Sequence, residues 1–256
     1  MRTVIVHYHI FKNSGTSFEK LLNENFGERH LVFDGPFRFC KIDQDELRKV
    51  IQHTEHLAYS SHQINLPVPT SLDFEVEPVV FIRHPLLRIR SIYEFGRRSP
   101  ESVRDGEELL NLEFAEWVRR SQRDAPGMAV LSNAQTRNVA GVYRRAALQR
   151  RVAGGGFEFD IAQALRNLAS VRLLARTESF DRDVPRFEAL LAERGIAFRY
   201  ARHDPSNSST ENPGLSVEQR LGALREELGE ALYAQLERYN QQDLQLLDYV
   251  GQRLEG

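Results

Sequence analysis

The chain has 256 residues, of which 41% are hydrophobic and 27% charged, and its formal net charge is −2. A chain of this length and composition can bury a full single-domain core, as soluble globular proteins do. Because the overall charge is small, an anionic ligand must be held by a local cluster of basic residues rather than by the global field, and we expect no nucleic-acid partner.

Short apolar runs predict four strands, at residues 3–10, 56–61, 78–83 and 171–175. Helical patterns follow the first and third strands and recur at residues 43–53, 109–121, 129–139, 160–168 and 183–194. A capping box of Ser216 and Gln219 begins helical sequence that is broken near Gly229. The alternation predicts a single α/β domain over residues 1–256, with three layers in which helices cover both faces of a mainly parallel sheet.

The first strand leads into a turn of small residues that opens a helix, and its six members are Lys12, Asn13, Ser14, Gly15, Thr16 and Ser17. Backbone N–H groups in such a turn, together with the partial positive charge of a helix N-terminus, favour binding of an anion. The ammonium of Lys12 and the hydroxyls of Thr16 and Ser17 add further donors. The logic is that of a Walker A loop, but Lys12 precedes Gly15 and no acidic partner for a metal is evident nearby.

A second anion-binding segment follows the third strand. Arg83 ends that strand, and Pro85 suits the first turn of the next helix. Ser91, eight residues beyond Arg83, lies where it can share an anion with the arginine. Both segments fall at the carboxyl ends of strands, where ligands of parallel sheets bind, so the pair indicates one ligand with two separated anionic groups.

These two segments resemble the 5′-phosphosulfate loop and the 3′-phosphate motif of sulfotransferases that use 3′-phosphoadenosine 5′-phosphosulfate (PAPS). The similarity is closest to the carbohydrate branch with the heparan sulfate 2-O- and 6-O-sulfotransferases, and it implies a P-loop-like sulfotransferase fold. It also implies that Lys12 and the turn from Asn13 to Ser17 hold the 5′-phosphosulfate, and that Arg83 and Ser91 hold the 3′-phosphate. Phe11 and Ser14 replace a proline and a glycine of the family, and Ser14 is strained if its φ is positive.

The resemblance also suggests catalytic residues. His62 follows a short apolar run and matches the place of the family's catalytic histidine, so we expect it to be the base, with Lys12 assisting the leaving phosphate. A histidine that is merely hydrogen-bonded within a loop is the alternative. Gln135 and Arg137 are expected near the acceptor, although helix packing plus a surface arginine explains them equally well. His7 and His9, within the first strand, are expected to be structural.

The predicted activity is therefore transfer of the sulfuryl group from PAPS to a hydroxyl, with a carbohydrate as the expected acceptor, PAP as the product and no metal required. One alternative is a P-loop-type nucleotide kinase, against which stand the position of Lys12 and the missing metal-binding acids. The other is a non-catalytic PAP- or glycan-binding protein that has kept the fold.

Two features bear on cellular context. Cys40 is the single cysteine, so an intrachain disulfide is excluded and a cysteine-based metal site is not indicated. No run approaches the ~20 apolar residues of a membrane span, and no signal-like segment opens the chain. We expect a cytoplasmic protein without a membrane span, and a Golgi-luminal one only if an anchor has been trimmed away.

Overall fold

The computed structural model describes residues 1–35, 41–102, 111–141, 150–151, 155–202 and 214–256. Cys40 and the first two residues of the helix expected at 109–121 lie outside these described residues.

The core of the molecule is a parallel five-stranded sheet. The strands within the described residues are β1 (Arg2–Tyr8), β2 (His30–Val32), β3 (Ala58–Ser61), β4 (Phe74–Ile82), β5 (Arg150–Arg151), β6 (Phe157–Glu158) and β7 (Leu173–Arg176). The sheet has the order β2-β3-β1-β4-β7, and every neighbouring pair in it is parallel. Strands β5 and β6 form a separate antiparallel pair. The α/β class and the parallel sheet predicted from the sequence are confirmed.

Helices connect and cover the strands. Those that the structure describes are α1 (Gly15–Phe26), α2 (Gln44–His53), α3 (Pro85–Arg98), α4 (Phe114–Ser121), α5 (Ala125–Leu131), α6 (Ala134–Val139), α7 (Ile161–Ala169), α8 (Phe180–Asp183), α9 (Phe187–Ala192), α10 (Val217–Leu228), α11 (Glu230–Tyr239) and α12 (Gln241–Glu255). None of the helices in the described part of the chain is both long and apolar enough to cross a membrane.

Alternation along the strands distributes the core between the two faces of the sheet. Ile5 and Phe81 point to one face and pack with apolar residues of α1 and α9. Val4, Val6 and Val80 point to the other and pack with α2, α7 and α12. A third apolar cluster joins α3, α4, α5, α10 and α11 beside the sheet. Helices therefore cover both faces, as the three-layer prediction requires.

The structure corrects the prediction of one helix over residues 129–139. The chain forms α5 and α6 instead, because Asn133 takes a left-handed conformation with φ of 42°. The Asn133 side chain donates to the carbonyl of Phe157 at 2.7 Å, which holds the break in place. Strand β2 was not predicted, since a strand of three residues gives no alternation to detect. The capping box at Ser216 and the break at Gly229 are confirmed.

A buried carboxylate ties the last helix to α6. Asp243, only 1% exposed, accepts from the backbone N–H groups of Gln135 at 3.1 Å and Thr136 at 2.7 Å. The hydroxyl of Thr136 donates to the same carboxylate at 2.7 Å. Asp243 therefore fixes the start of α6 from α12, and with it the side chain of Gln135.

We predict that Asp243→Asn lowers the free energy of unfolding by roughly 3 kcal/mol, because charge-assisted hydrogen bonds contribute about 1.5–3 kcal/mol each and an amide cannot accept all of them. Urea denaturation measures the change. Asp248→Asn, on the exposed side of the same helix, is the matched control and should stay within about 0.5 kcal/mol of the parent protein. Equal effects of the two substitutions would contradict the role of Asp243.

Candidate functional site

The segment between β1 and α1 forms a tight loop at the carboxyl edge of the sheet. Lys12 and Ser14 have φ values of 67° and 60°, in the left-handed region that favours glycine. The strain foreseen for Ser14 is therefore present. The first hydrogen bond of α1 runs from the N–H of Phe18 to the carbonyl of Ser14 at 3.0 Å. The N–H groups of Gly15, Thr16 and Ser17 consequently lack an acceptor within the helix and suit an anion.

Two buried arginines hold the carbonyl groups of this loop. Arg88 donates from Nε to the carbonyl of Phe11 at 3.0 Å, and Arg83 donates from Nη1 to that of Lys12 at 2.8 Å. Burial lowers the pKa of both guanidinium groups, that of Arg88 to about 10. Arg83 also donates to Glu178 at 3.2 Å. Its side chain is thus engaged with the loop and Glu178, and its contact with a 3′-phosphate stays a prediction.

Asn13 and Gln135 hold the loop in position through hydrogen bonds on its interior side. The Asn13 amide, which is buried, donates to the carbonyl of Phe81 at 2.7 Å and to Oε1 of Gln135 at 2.6 Å. The amide of Gln135, 0% exposed, accepts from the N–H of Arg83 at 2.9 Å and donates to the Arg83 carbonyl at 2.8 Å. Gln135 therefore lies in the interior. Its part in acceptor binding stays a prediction and must act through Asn13 and Arg83.

Lys12 places a cation at the loop without a carboxylate partner among the described residues. Its ammonium lies 4.7 Å from the ring centroid of Phe95 and 5.9 Å from that of Phe11. Burial, followed by the nearby charges of Arg83 and Arg98, lowers the pKa of Lys12 to about 8. Thr16 and Ser17 are exposed beside it. The loop thus offers a lysine cation, free N–H groups and two accessible hydroxyls to one ligand.

His62 lies next to this loop, directly after β3. Its Nδ1 is 3.1 Å from the carbonyl of His9, and the two imidazole centroids are 3.7 Å apart. A carbonyl only accepts, so Nδ1 carries the hydrogen and Nε2 carries the lone pair. Partial burial of the imidazole, followed by the nearby charge of His9, lowers the pKa of His62. The residue as a whole is nevertheless exposed. The structure therefore brings His62 and the loop together.

Two further residues, which the sequence motifs do not contain, hold the backbone of His62. Asp34 accepts from its N–H at 3.0 Å, and Lys41 donates to its carbonyl at 2.9 Å. Burial, and then the charge of Arg137, lowers the pKa of Lys41 to about 7. Arg137 therefore lies near enough to Lys41 for the two charges to interact. Ser91, by contrast, is buried within α3.

A cleft of about 430 Å³ opens beside the loop, beyond the ends of β4 and β7. It is lined by His84, Arg176, Glu178, Ser179, Val217, Glu218, Leu247, Asp248, Gly251, Gln252 and Glu255. Glu178, the partner of Arg83, links the cleft to the loop.

Three buried polar atoms at or beside this cleft have no hydrogen-bond partner among the described residues: Nδ1 of His84, Oγ1 of Thr177 and Nε of Arg220. Burial, and then the charges of Arg83 and Arg220, lowers the pKa of His84 to about 4. Buried polar atoms are normally paired, so these three fit a polar ligand. No sequence motif marks Arg220, because elements far apart in the chain bring it to the cleft.

No protein-family model matches the chain. The chain is similar to an uncharacterized protein of Archaeoglobus fulgidus, with 26% identity over 259 residues that cover 97% of this chain and 96% of the relative. The likeness extends over nearly the whole of both proteins, and the name of the relative states no activity.

We predict that Gly15→Ala lowers stability by about 1–3 kcal/mol, as overpacking does, and weakens anion binding. The added Cβ would overlap the His9 ring. Two contacts hold that ring in place: Glu19 lies 2.8 Å from its Nδ1, and the tilted ring of His62 lies with its centroid 3.7 Å away. Thermal unfolding with and without PAP measures both effects.

Gly222→Ala is the matched control, because the added Cβ of that helical glycine meets nothing within 4 Å beyond the backbone of its own helix. Alanine favours helix, so this variant should gain about 0.5–1 kcal/mol. A Gly15→Ala protein as stable as the control, with unchanged PAP binding, would show that the close approach of His9 is not needed.

Proposed function

We propose that the protein is a PAPS-dependent sulfotransferase that sulfates a hydroxyl group, with a carbohydrate as the expected acceptor. The observation that carries the proposal is the loop from Lys12 to Ser17 beside His62. Free N–H groups and an ammonium that has no carboxylate partner in the described part of the chain converge there. Anion donors and a base in one place are what sulfuryl transfer requires.

The loop suits the 5′-phosphosulfate. The N–H groups at the start of α1, the hydroxyls of Thr16 and Ser17 and the ammonium of Lys12 can surround its oxygens. Arg83 and Arg88 support this use because they donate hydrogen bonds to the carbonyl groups of the loop. The N–H donors of the loop, rather than these carbonyl acceptors, are then left to face the ligand. Asn13 contributes because the hydrogen bonds of its buried side chain hold the loop in position.

The cleft suits the nucleoside end of the same ligand. It adjoins the loop through Arg83 and Glu178, and it lies beyond the carboxyl ends of β4 and β7, where ligands of parallel sheets bind. The sheet order, with the phosphate loop after the central strand, supports a P-loop-like sulfotransferase fold. The 3′-phosphate would lie near Arg83 and Ser91.

The residues support a one-step mechanism. The acceptor oxygen attacks sulfur, the new O–S bond forms, and the bond from sulfur to the 5′-phosphate oxygen breaks with its electron pair leaving on PAP. Nε2 of His62 takes the acceptor proton, because Nδ1 already donates to His9. Lys12 balances the charge that develops on the departing phosphate. None of these steps uses a metal.

The first prediction for this function concerns the ligand. PAP at a hundred times its dissociation constant should add about 2.7 kcal/mol to the free energy of unfolding. For a chain of this size we expect Tm to rise by roughly 5–10 °C. ATP with magnesium should raise it much less. Thermal shift assays with PAP, ATP with magnesium, and adenosine as a control distinguish the ligands.

A larger shift with ATP and magnesium than with PAP would favour a nucleotide kinase instead. A shift with PAP but no transfer to any hydroxyl acceptor would favour a non-catalytic binding protein.

The second prediction separates the roles of two site residues. His62→Ala should leave PAP affinity unchanged and lower turnover by ~10²–10⁴, the usual contribution of a general base. Lys12→Ala should weaken PAP binding as well as turnover, because its ammonium contacts the cofactor in both ground and transition states. PAP titrations together with sulfate transfer assays on a hydroxyl acceptor, or slow PAPS hydrolysis, measure these effects.

The matched control is His53→Ala, which alters an exposed histidine on α2 and should leave both quantities unchanged. Full transfer activity in a folded His62→Ala protein would assign the base to another residue.

A further inference from the structure

A cluster of histidines and a carboxylate lies behind the anion-binding loop. His7 and His9 are two residues apart at the end of β1, so their side chains leave on the same side, and the two rings stack with centroids 5.0 Å apart. Both are buried. Glu19, one turn into α1, reaches the cluster and lies 2.8 Å from Nδ1 of His9. One residue of β1, the residue that directly follows the strand and one residue of α1 thus meet in the interior.

We propose that His7, His9 and Glu19 bind a divalent transition metal ion, with zinc as the best match. One ligand atom from each of these residues lies within 4.8 Å of the other two. Around a tetrahedral zinc ion with bonds of about 2.0–2.1 Å, ligand atoms are roughly 3.3 Å apart. The spacing of the three atoms therefore exceeds that requirement by no more than about 1.5 Å.

The type of donor supports zinc over harder ions. Two imidazole nitrogens and one carboxylate oxygen are a ligand set that zinc accepts, whereas magnesium and calcium prefer sites made of oxygen alone. Three protein ligands leave a coordination position for water. The cluster offers lone pairs to a cation, whereas the loop from Lys12 to Ser17 offers N–H groups, hydroxyls and an ammonium to an anion.

The surroundings of His7 provide the outer hydrogen bonds that metal-binding histidines need. Its Nδ1 lies 3.2 Å from the hydroxyl of Ser60, which leaves Nε2 to face the ion. The Ser60 hydroxyl also lies 2.9 Å from Nε2 of His30, and Nδ1 of His30 lies 2.8 Å from Oδ1 of Asn23. This chain of bonds fixes the orientation of the His7 ring before any metal arrives.

The metal site does not depend on the proposed sulfotransferase function. It involves the strand and helix that flank the loop, and its ligands are separate from Lys12 and from the donors of the first turn of α1. Sequence reasoning assigned His7 and His9 a structural role, because the contribution of Glu19 is visible only once α1 packs on the sheet.

Metal binding can be tested on the full chain after a chelator has removed any bound metal and Zn²⁺ has been added back. We expect one equivalent of Zn²⁺ by elemental analysis, and Co²⁺ in its place should give the visible absorption of a tetrahedral site. Glu19→Gln is nearly isosteric and keeps an oxygen that accepts from His9, so we expect it to fold and to lose the bound metal. Ser60→Ala keeps all three ligands and should bind about 10–100-fold more weakly.

His53→Gln is the control, because it removes an exposed imidazole on α2 that lies outside this hydrogen-bonded chain, and we expect it to keep one equivalent. Circular dichroism and thermal unfolding establish that each variant is folded. Absence of a stoichiometric metal in the parent protein would overturn the proposal. So would retention of the Co²⁺ spectrum by both Glu19→Gln and His7→Gln, since the metal would then be bound elsewhere.

Discussion

The side-chain amide of Gln135 connects the parts on which the candidate site depends. It accepts from Asn13 in the loop and from the backbone of Arg83 at the end of β4, and it donates back to the Arg83 carbonyl. Asp243 on the last helix holds the backbone N–H of the same residue. A buried amide whose donors and acceptors are used in this way is costly to displace, because each partner would lose its hydrogen bond in the interior. The loop, the sheet and α12 are therefore fixed relative to one another.

This framework determines the electrostatic character of the loop. A strained turn with Lys12 and Ser14 at positive φ exposes its N–H groups only if something holds the carbonyl groups back. Arg83 and Arg88 do so from the interior, where a charged donor is not weakened by competing water. Lys12, resting on Phe95 and Phe11, adds positive charge. Strain and buried charge in the same loop are features of functional sites rather than of ordinary connections.

Much of the fold was predictable, because long apolar runs such as the one in β4 and capping signals such as Ser216 are local. The loop after β1 and the position of His62 beside it were also predictable, since both follow strand ends of one parallel sheet. The break at Asn133 was not, because its cause is a bond to Phe157 that the local pattern does not contain. Arg220 and Lys41 were likewise hidden, and Gln135, for which helix packing was the alternative to a place near the acceptor, is an interior residue. The direction of side chains and the packing of distant segments determine which residues meet at the site, and a sequence motif contains neither.

The hydrogen bonds that hold the loop join residues that are far apart in the sequence. Asn13 and Gln135 are 122 residues apart, and Gln135 and Asp243 a further 108. Joining such distant segments costs chain entropy that is recovered only when the intervening structure has formed. The loop from Lys12 to Ser17 therefore takes its final shape only once the C-terminal helix has docked. A chain still emerging from the ribosome would lack this loop geometry, and a truncated one would lose it even if its sheet were intact.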